Sequence, residues 1–92
     1  MNLVWLIKLT DQAKVELAKL DKVVAKRITR FLRERLANID DPRSIGEALK
    51  GPKLGTFWKY RVGAYRIIAD IEDGALRIIV IRIGNRKKVY RG

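Results

Sequence analysis

The chain has no cysteine and no histidine. The first absence excludes a disulfide framework and thiolate chemistry, and the second removes the commonest metal ligand and the usual general base at neutral pH. Any catalysis must therefore run on lysine, arginine, tyrosine or a carboxylate. Apolar runs of membrane length are missing too: nothing approaches the roughly 20 residues a helix needs to cross a bilayer. The opening Leu3-Val4-Trp5-Leu6-Ile7 is cut by Lys8, lacks a preceding basic segment and is followed by no small-residue cleavage site, so it reads as a first strand rather than a signal peptide. A cytoplasmic location is the expectation. Acidic residues are scarce, with ten Asp and Glu against 21 Lys and Arg, a formal charge of +11 and a pI near 10.5. That imbalance points to nucleic acid, a ribosome-like particle, an anionic membrane or an acidic protein as partner.

The chain is not a disordered basic tail, because 48% of it is apolar and Ile, Leu and Val dominate two long runs. Ninety-two residues suffice for one core, so a single domain spanning 1–92 is expected. Thr10 is a reasonable N-cap with Asp11 in the first turn after it, and Ala13, Leu17 and Leu20 then share a face of a short helix ending near Asp21. From about Lys22 a second helix carries Val24, Ile28, Phe31, Leu32, Leu36 and Ile39 on one stripe, while Lys26, Arg27, Arg30, Arg33, Glu34 and Arg35 fall mostly on the other. Asp40-Asp41-Pro42 ends it. The glycine-bearing connection from Arg43 to Gly55 predicts at most one helical turn, around Ile45 to Leu49.

From Thr56 the pattern becomes β: Phe57 to Val62, Ala64 to Glu72 and Leu76 to Ile83, with breaks at Gly63 and at Asp73-Gly74, a pair that signals a tight hairpin. The fold class is therefore α+β, a two-helix hairpin packed on one face of a small, mainly antiparallel sheet in the order β-α-α-β-β-β. Leu17, Ile28, Phe31, Leu32, Tyr65, Ile67, Ile79 and Ile81 are the expected core. On the first meander strand Trp58, Tyr60 and Val62 share one side and Phe57, Lys59 and Arg61 the other, with Arg66 at the start of the next strand beside that second, cationic side.

The last nineteen residues, Gly74 to Gly92, hold six Lys or Arg and no Asp or Glu, ending on Gly84-Asn85-Arg86-Lys87-Lys88-Val89-Tyr90-Arg91. A cationic cluster with a phenol at the end of a rigid strand suits phosphate. Each candidate also has an ordinary role. Lys59 and Arg61 would serve as a solvated strand face, Arg66 as a partner of Asp70 or Glu72, Arg86, Lys87 and Lys88 as a solvated tail, and Tyr90 as a ring tucked on the core. Taken together, two arginines from adjacent strands, a lysine and a phenol could hold a scissile phosphate by bidentate hydrogen bonds and stabilise charge growing in its transition state. Reference pKa values near 10 for Tyr and Lys suit proton transfer poorly at neutral pH, so such a site needs a substrate oriented by something else.

The element order, together with Leu49-Lys50-Gly51, Tyr60-Arg61-Val62-Gly63-Ala64-Tyr65-Arg66-Ile67-Ile68 and Ile83-Gly84-Asn85-Arg86-Lys87-Lys88-Val89-Tyr90, resembles the RelE/ParE superfamily of bacterial toxins, on its RelE side, over almost the whole chain. The resemblance implies a type II toxin that cuts messenger RNA in the ribosomal decoding site. Its partners would be the ribosome, the messenger RNA and an acidic, RelB-like antitoxin, with no membrane, cofactor or metal. It also implies that Arg66 holds the scissile phosphate, that Arg86 aids leaving-group protonation or transition-state stabilisation, that Tyr90 assists 2′-hydroxyl activation and stacking, and that Lys59 is one of two active-site lysines. Phe57 stands where the second lysine would be, and the segment between Arg86 and Tyr90 is shorter than in some members. Arg61, Lys87, Lys88 and Arg91 are read as RNA contacts. Two other readings remain: a ParE-type gyrase poison, whose members generally lack the arginine and tyrosine set, and a basic nucleic-acid-binding module without catalysis.

Overall fold

The computed structural model of the chain describes residues 4–49 and 57–85. The expected first strand is β1, Leu6–Leu9. It passes into α1, Asp11–Ala18, through Thr10, whose hydroxyl is both donor and acceptor. Thr10 Oγ1 accepts from the Ala13 N–H at 3.1 Å, as an N-cap should, and donates to the Ile81 carbonyl at 3.1 Å. The Thr10 N–H reaches the Val80 carbonyl at 3.0 Å. One residue thus starts the first helix and ties it to β5, Arg77–Asn85, about seventy positions later.

The second helix, α2, spans Lys22–Arg30 and is capped by Asp21, which accepts from the Val23 N–H at 3.1 Å. It continues as a wider, π-helical stretch over Phe31–Leu36, closed by an Ala37 N–H to Leu32 carbonyl bond of 3.0 Å five residues back. Asn38 Nδ2 donates to the Glu34 carbonyl at 2.9 Å and to that of Arg33 at 3.3 Å, occupying acceptors the helix end leaves open. The expected apolar stripe faces the sheet: Ile28, Leu32 and Leu36 are buried, with Val24, Phe31 and Ile39 packed beside them.

The connection departs from expectation. The helical turn sits earlier, as a 3-10 turn at Pro42–Ile45, and Glu47–Ala48 form a short strand, β2, antiparallel to β3, Phe57–Val62. A strand of two residues has no alternation by which to recognise it. With β4, Tyr65–Glu72, the sheet runs in the order β1-β5-β4-β3-β2, with β1 parallel to β5 and the other pairings antiparallel. The α+β arrangement of two helices on a mainly antiparallel sheet therefore holds, with one strand more than expected.

β3 and β4 are joined by Gly63-Ala64, with Val62 opposite Tyr65 and Gly63 at φ +61°, the first central position of a type II′ turn, which calls for glycine. The Asp73-Gly74 reversal is not the tight hairpin its residues suggest. A 3-10 turn, Asp73–Ala75, is followed by Leu76 in the left-handed region at φ 48°. Asp73 is engaged elsewhere, accepting two hydrogen bonds of 2.8 and 2.7 Å from the Arg43 guanidinium, which lies 5.8 Å from the Trp58 ring centroid.

The core includes Trp5, Ala13, Ile28, Leu36, Tyr60, Ile67, Ala69, Ile78, Val80 and Ile83. Of the expected members, Ile28, Leu32 and Ile67 are buried, and Leu17, Phe31 and Tyr65 pack on the rim. The expectation for Ile79 and Ile81 is one position out of phase: Ile78 and Val80 point inward instead. The unbroken run Ile78-Ile79-Val80-Ile81 carries no alternation to choose between the faces, and a bulge opposite Ile68/Ala69 shifts the register of β5 against β4.

Tyr60 is the fully buried aromatic at the centre of this packing. Its phenol donates to the Pro42 carbonyl at 2.7 Å and its ring centroid lies 6.0 Å from that of Phe31. Gly46 is held to glycine by the same ring, because a Cβ there would sit 2.8 Å from Tyr60 Cε1. Burial pushes the Tyr60 phenol up to about 12, with the nearby Arg43 charge opposing and Asp41 adding to the shift. The neutral phenol is thus favoured in the folded state. Its contribution is fully present below the unfolded value near 10 and is lost as pH rises toward about 12, on the order of 3 kcal/mol at most. Tyr60→Phe should lower stability at neutral pH by about 1–3 kcal/mol, because the Pro42 carbonyl is left without its donor, and should flatten the decline in stability between pH 10 and 12. Urea melts of both proteins across that window check this, and parallel declines would show that Tyr60 does not carry the alkaline loss.

Candidate nucleic-acid interface

Strand register decides which cations meet. Arg61 on β3 lies directly opposite Arg66 on β4, and Arg66 lies opposite Gly84 on β5. Lys59 lies opposite Ile68 on one side and Glu47 of β2 on the other. Since Tyr60, Val62 and Ile67 point into the core, Lys59, Arg61 and Arg66 share the sheet face turned away from the helices, beside a small cluster of Leu49, Ile68 and Phe57. The three cations are brought together as their sequence spacing suggests.

Arg66 is only 5% exposed. Among the described residues it makes no ion pair, and its two hydrogen bonds there leave Nη1, to the Tyr65 carbonyl at 3.1 Å and the Gly63 carbonyl at 3.5 Å. Glu72, one of its expected ordinary partners, is taken by Arg77, and Asp70 sits across from Phe57. A guanidinium has five N–H donors, so most of the fork makes no hydrogen bond among the described residues. Like charges directly opposite on neighbouring strands destabilise a sheet, and a buried cation without a counter-ion costs more. The pair Arg61–Arg66 is therefore poor for folding and well suited to an anion arriving from outside.

The face is not free of carboxylates, as the sequence suggested for the strand ends. Glu47 meets Lys59 at 3.2 Å. The hydrogen bond to Lys59 and its charge, with smaller help from Arg61 and Arg66, hold the Glu47 carboxyl below the usual carboxylate range. Sequence reasoning missed Glu47 because nothing marks β2 as a strand. Glu16 was missed as well: from α1 its Oε1 accepts from the Ile83 N–H at 2.8 Å and its Oε2 from Arg82 Nε at 3.0 Å. It thereby occupies the side of β5 beyond the reach of β1, whose pairing ends at Val80. Arg86, Lys87, Lys88, Tyr90 and Arg91 lie outside the described residues. Among those described, no cluster of three or more metal-ligating side chains occurs, and no helix is long and apolar enough to cross a membrane.

The family model described as the ParE toxin of the parDE type II toxin-antitoxin system matches residues 7–90. The chain belongs to this toxin family. Toxin RelG of Mycobacterium tuberculosis is 26% identical over 87 residues, spanning 95% of this chain and 97% of its own. Among solved structures, the toxin-antitoxin complex RelBE2 from Mycobacterium tuberculosis matches at a TM-score of 0.83 and 23% identity, covering 91% of this chain and 93% of that one. The archaeal RelE-RelB complex from Pyrococcus horikoshii matches at 0.73 and 22%, covering 92% and 98%. The intact E. coli RelBE complex matches at 0.68 and 24%, covering 88% and 95%. The fold is thus that of RelE toxins, and the protein is a type II toxin of the RelE/ParE group.

Glu16 joins the helix layer to the strand that leads out of this face. Glu16→Ala should cost about 1.5–3 kcal/mol, because a backbone donor and an arginine both lose a charged acceptor. Glu16→Gln keeps an acceptor oxygen for the Ile83 N–H and should cost clearly less. Thermal melts of the two variants would show equal losses if the strand contact were unimportant.

Proposed function

We propose that this toxin is a RelE-type, ribosome-dependent endoribonuclease that cleaves messenger RNA in the decoding site. The observation that carries the reading is the opposed pair Arg61–Arg66, with Arg66 nearly withdrawn from water and without a carboxylate partner among the described residues. In the proposed reaction the 2′-hydroxyl loses its proton and attacks the adjacent phosphorus. The bond from phosphorus to the 5′-oxygen breaks, leaving a 2′,3′-cyclic phosphate on one fragment and, after protonation, a 5′-hydroxyl on the other. Arg66 holds the phosphate and neutralises the charge its oxygens gain, where a low local dielectric makes a fixed donor worth most.

The remaining assignments come from the resemblance. Arg86 assists the leaving group, Tyr90 aids activation of the 2′-hydroxyl and stacks on a base, and Lys59 adds charge at the site. The Glu47 contact tempers Lys59, and a phosphate would compete with that carboxylate for the ammonium. Arg61, Lys87, Lys88 and Arg91 hold the RNA backbone. The whole of 1–92 acts as one domain in the cytoplasm, silenced by an acidic, RelB-like antitoxin that neutralises the +11 surface. In its favour, several of the RelE structures it resembles are those of toxin-antitoxin complexes. A second reading, a ParE-type toxin acting on gyrase, is favoured by the family model that matches residues 7–90.

Mapping messenger RNA ends on programmed ribosomes, alongside a gyrase supercoiling assay, separates the two. Arg66→Ala should slow cleavage by about a hundredfold or more, comparable to deleting one preorganised donor, with a much smaller loss in ribosome binding. Wild-type protein that leaves the message intact but blocks supercoiling would replace the nuclease with the gyrase poison.

A further inference from the structure

A second group of arginines approaches the same hairpin from the helix side. The Arg27 guanidinium of α2 lies against the β3–β4 turn, close enough that a Cβ on Gly63 would sit 3.2 Å from Arg27 Nη1. The carbonyl of that same Gly63 faces Arg66 Nη1 at 3.5 Å. Arg27 and Arg66 therefore meet opposite sides of one turn, and Arg61 stands at its base. From there Arg27, Arg61 and Arg35 line a groove of about 770 Å³ between α2 and β3, which also holds Arg30, Lys59 and the half-buried ring of Phe31. The two carboxylates in the groove are engaged, Glu34 with Arg30 at 3.8 Å and Glu47 with Lys59 at 3.2 Å. Arg27, Arg35 and Arg61 make no ion pair among the described residues.

We propose that this groove is a second phosphate-binding track, along which single-stranded RNA runs from the Arg66 site over the Gly63 turn to Arg27 and Arg35. The inference rests on the phosphate-site reading of Arg66 and extends it to a strand longer than the scissile dinucleotide. Arginine forks grip phosphate oxygens in pairs, and the half-buried Phe31 ring gives the groove wall an apolar surface that a base can contact.

The test is fluorescence anisotropy of a labelled, 2′-O-methylated single-stranded RNA, which the toxin cannot cleave, titrated against the full chain over a range of salt. Removing one arginine–phosphate interaction should make the plot of log affinity against log salt shallower by about 0.7. Arg27→Ala should show that change, Arg27→Lys should largely restore the slope, and Lys8→Ala, on the strand at the far edge of the sheet, should leave it as in wild type. Matched thermal melts exclude a folding defect. A slope unchanged by Arg27→Ala, or no binding of the RNA by wild type, would overturn the track. Equal competition by polyglutamate of matched charge, lost equally in Arg27→Ala, would overturn it in favour of an acidic protein surface. Messenger RNA cleavage on ribosomes is scored separately. Cleavage with an indifferent Arg27 removes this inference alone, and a flattened slope without cleavage removes the nuclease while the track remains.

Discussion

The register of β4 between β3 and β5 is the constraint on which the rest of the molecule depends. Side chains alternate along a strand, so Ile67, Ala69 and Ile71 reach the helices only if Arg66 and Ile68 face away. A slip of one residue would drive the Arg66 guanidinium into the apolar layer under α2 and expose three core side chains. Burial therefore sets the geometry of the cationic face: the apolar cost of misregister keeps Arg61 and Arg66 opposed despite their mutual repulsion.

Two anchors hold that register from outside the sheet. On the β1 side, Thr10 and Glu16 bind the backbone of β5 from the helix layer, at Val80, Ile81 and Ile83. On the β2 side, Tyr60 reaches from β3 to the Pro42 carbonyl and is packed by Phe31 and Gly46. Each anchor ends in a hydrogen bond from or to a group withdrawn from water, where an unmade bond is expensive. The charged groups sit mainly outside these anchors. The surface can thus carry a large positive excess without unpaired charge in the helix-facing core, and the buried exception, Arg66, lies on the opposite face.

Electrostatics on that face is a balance between the cations its register gathers and the few carboxylates set among them. Glu47 takes one charge, at Lys59, and Glu34 takes another on the helix side. The arginines around the Gly63 turn make no ion pair among the described residues. This division explains why a chain of this charge still folds as a compact layer structure: repulsion is concentrated where a polyanion would relieve it.

The amphipathic stripe of α2, the Thr10 cap, the β runs after residue 57 and the sharing of a face by Lys59, Arg61 and Arg66 were all legible in the sequence, because each depends on local spacing that a 3.6-residue or two-residue period exposes. The strand at Glu47–Ala48, the inward phase of Ile78 and Val80, the longer turn at Asp73 and the reach of Glu16 and Arg27 across the fold were not. The first three lack any local pattern: two residues cannot alternate, an all-apolar run has no polar side, and Asp73 is drawn into a pair with Arg43, thirty residues away. The last two are contacts between residues 67 and 36 positions apart, which no window of sequence spans. The sequence by itself determined the two helices, the four longer strands, the charge and the kinship. Only the tertiary structure decided which cations stand opposite one another and which are already paired with carboxylates, because pairing is a matter of distance through space.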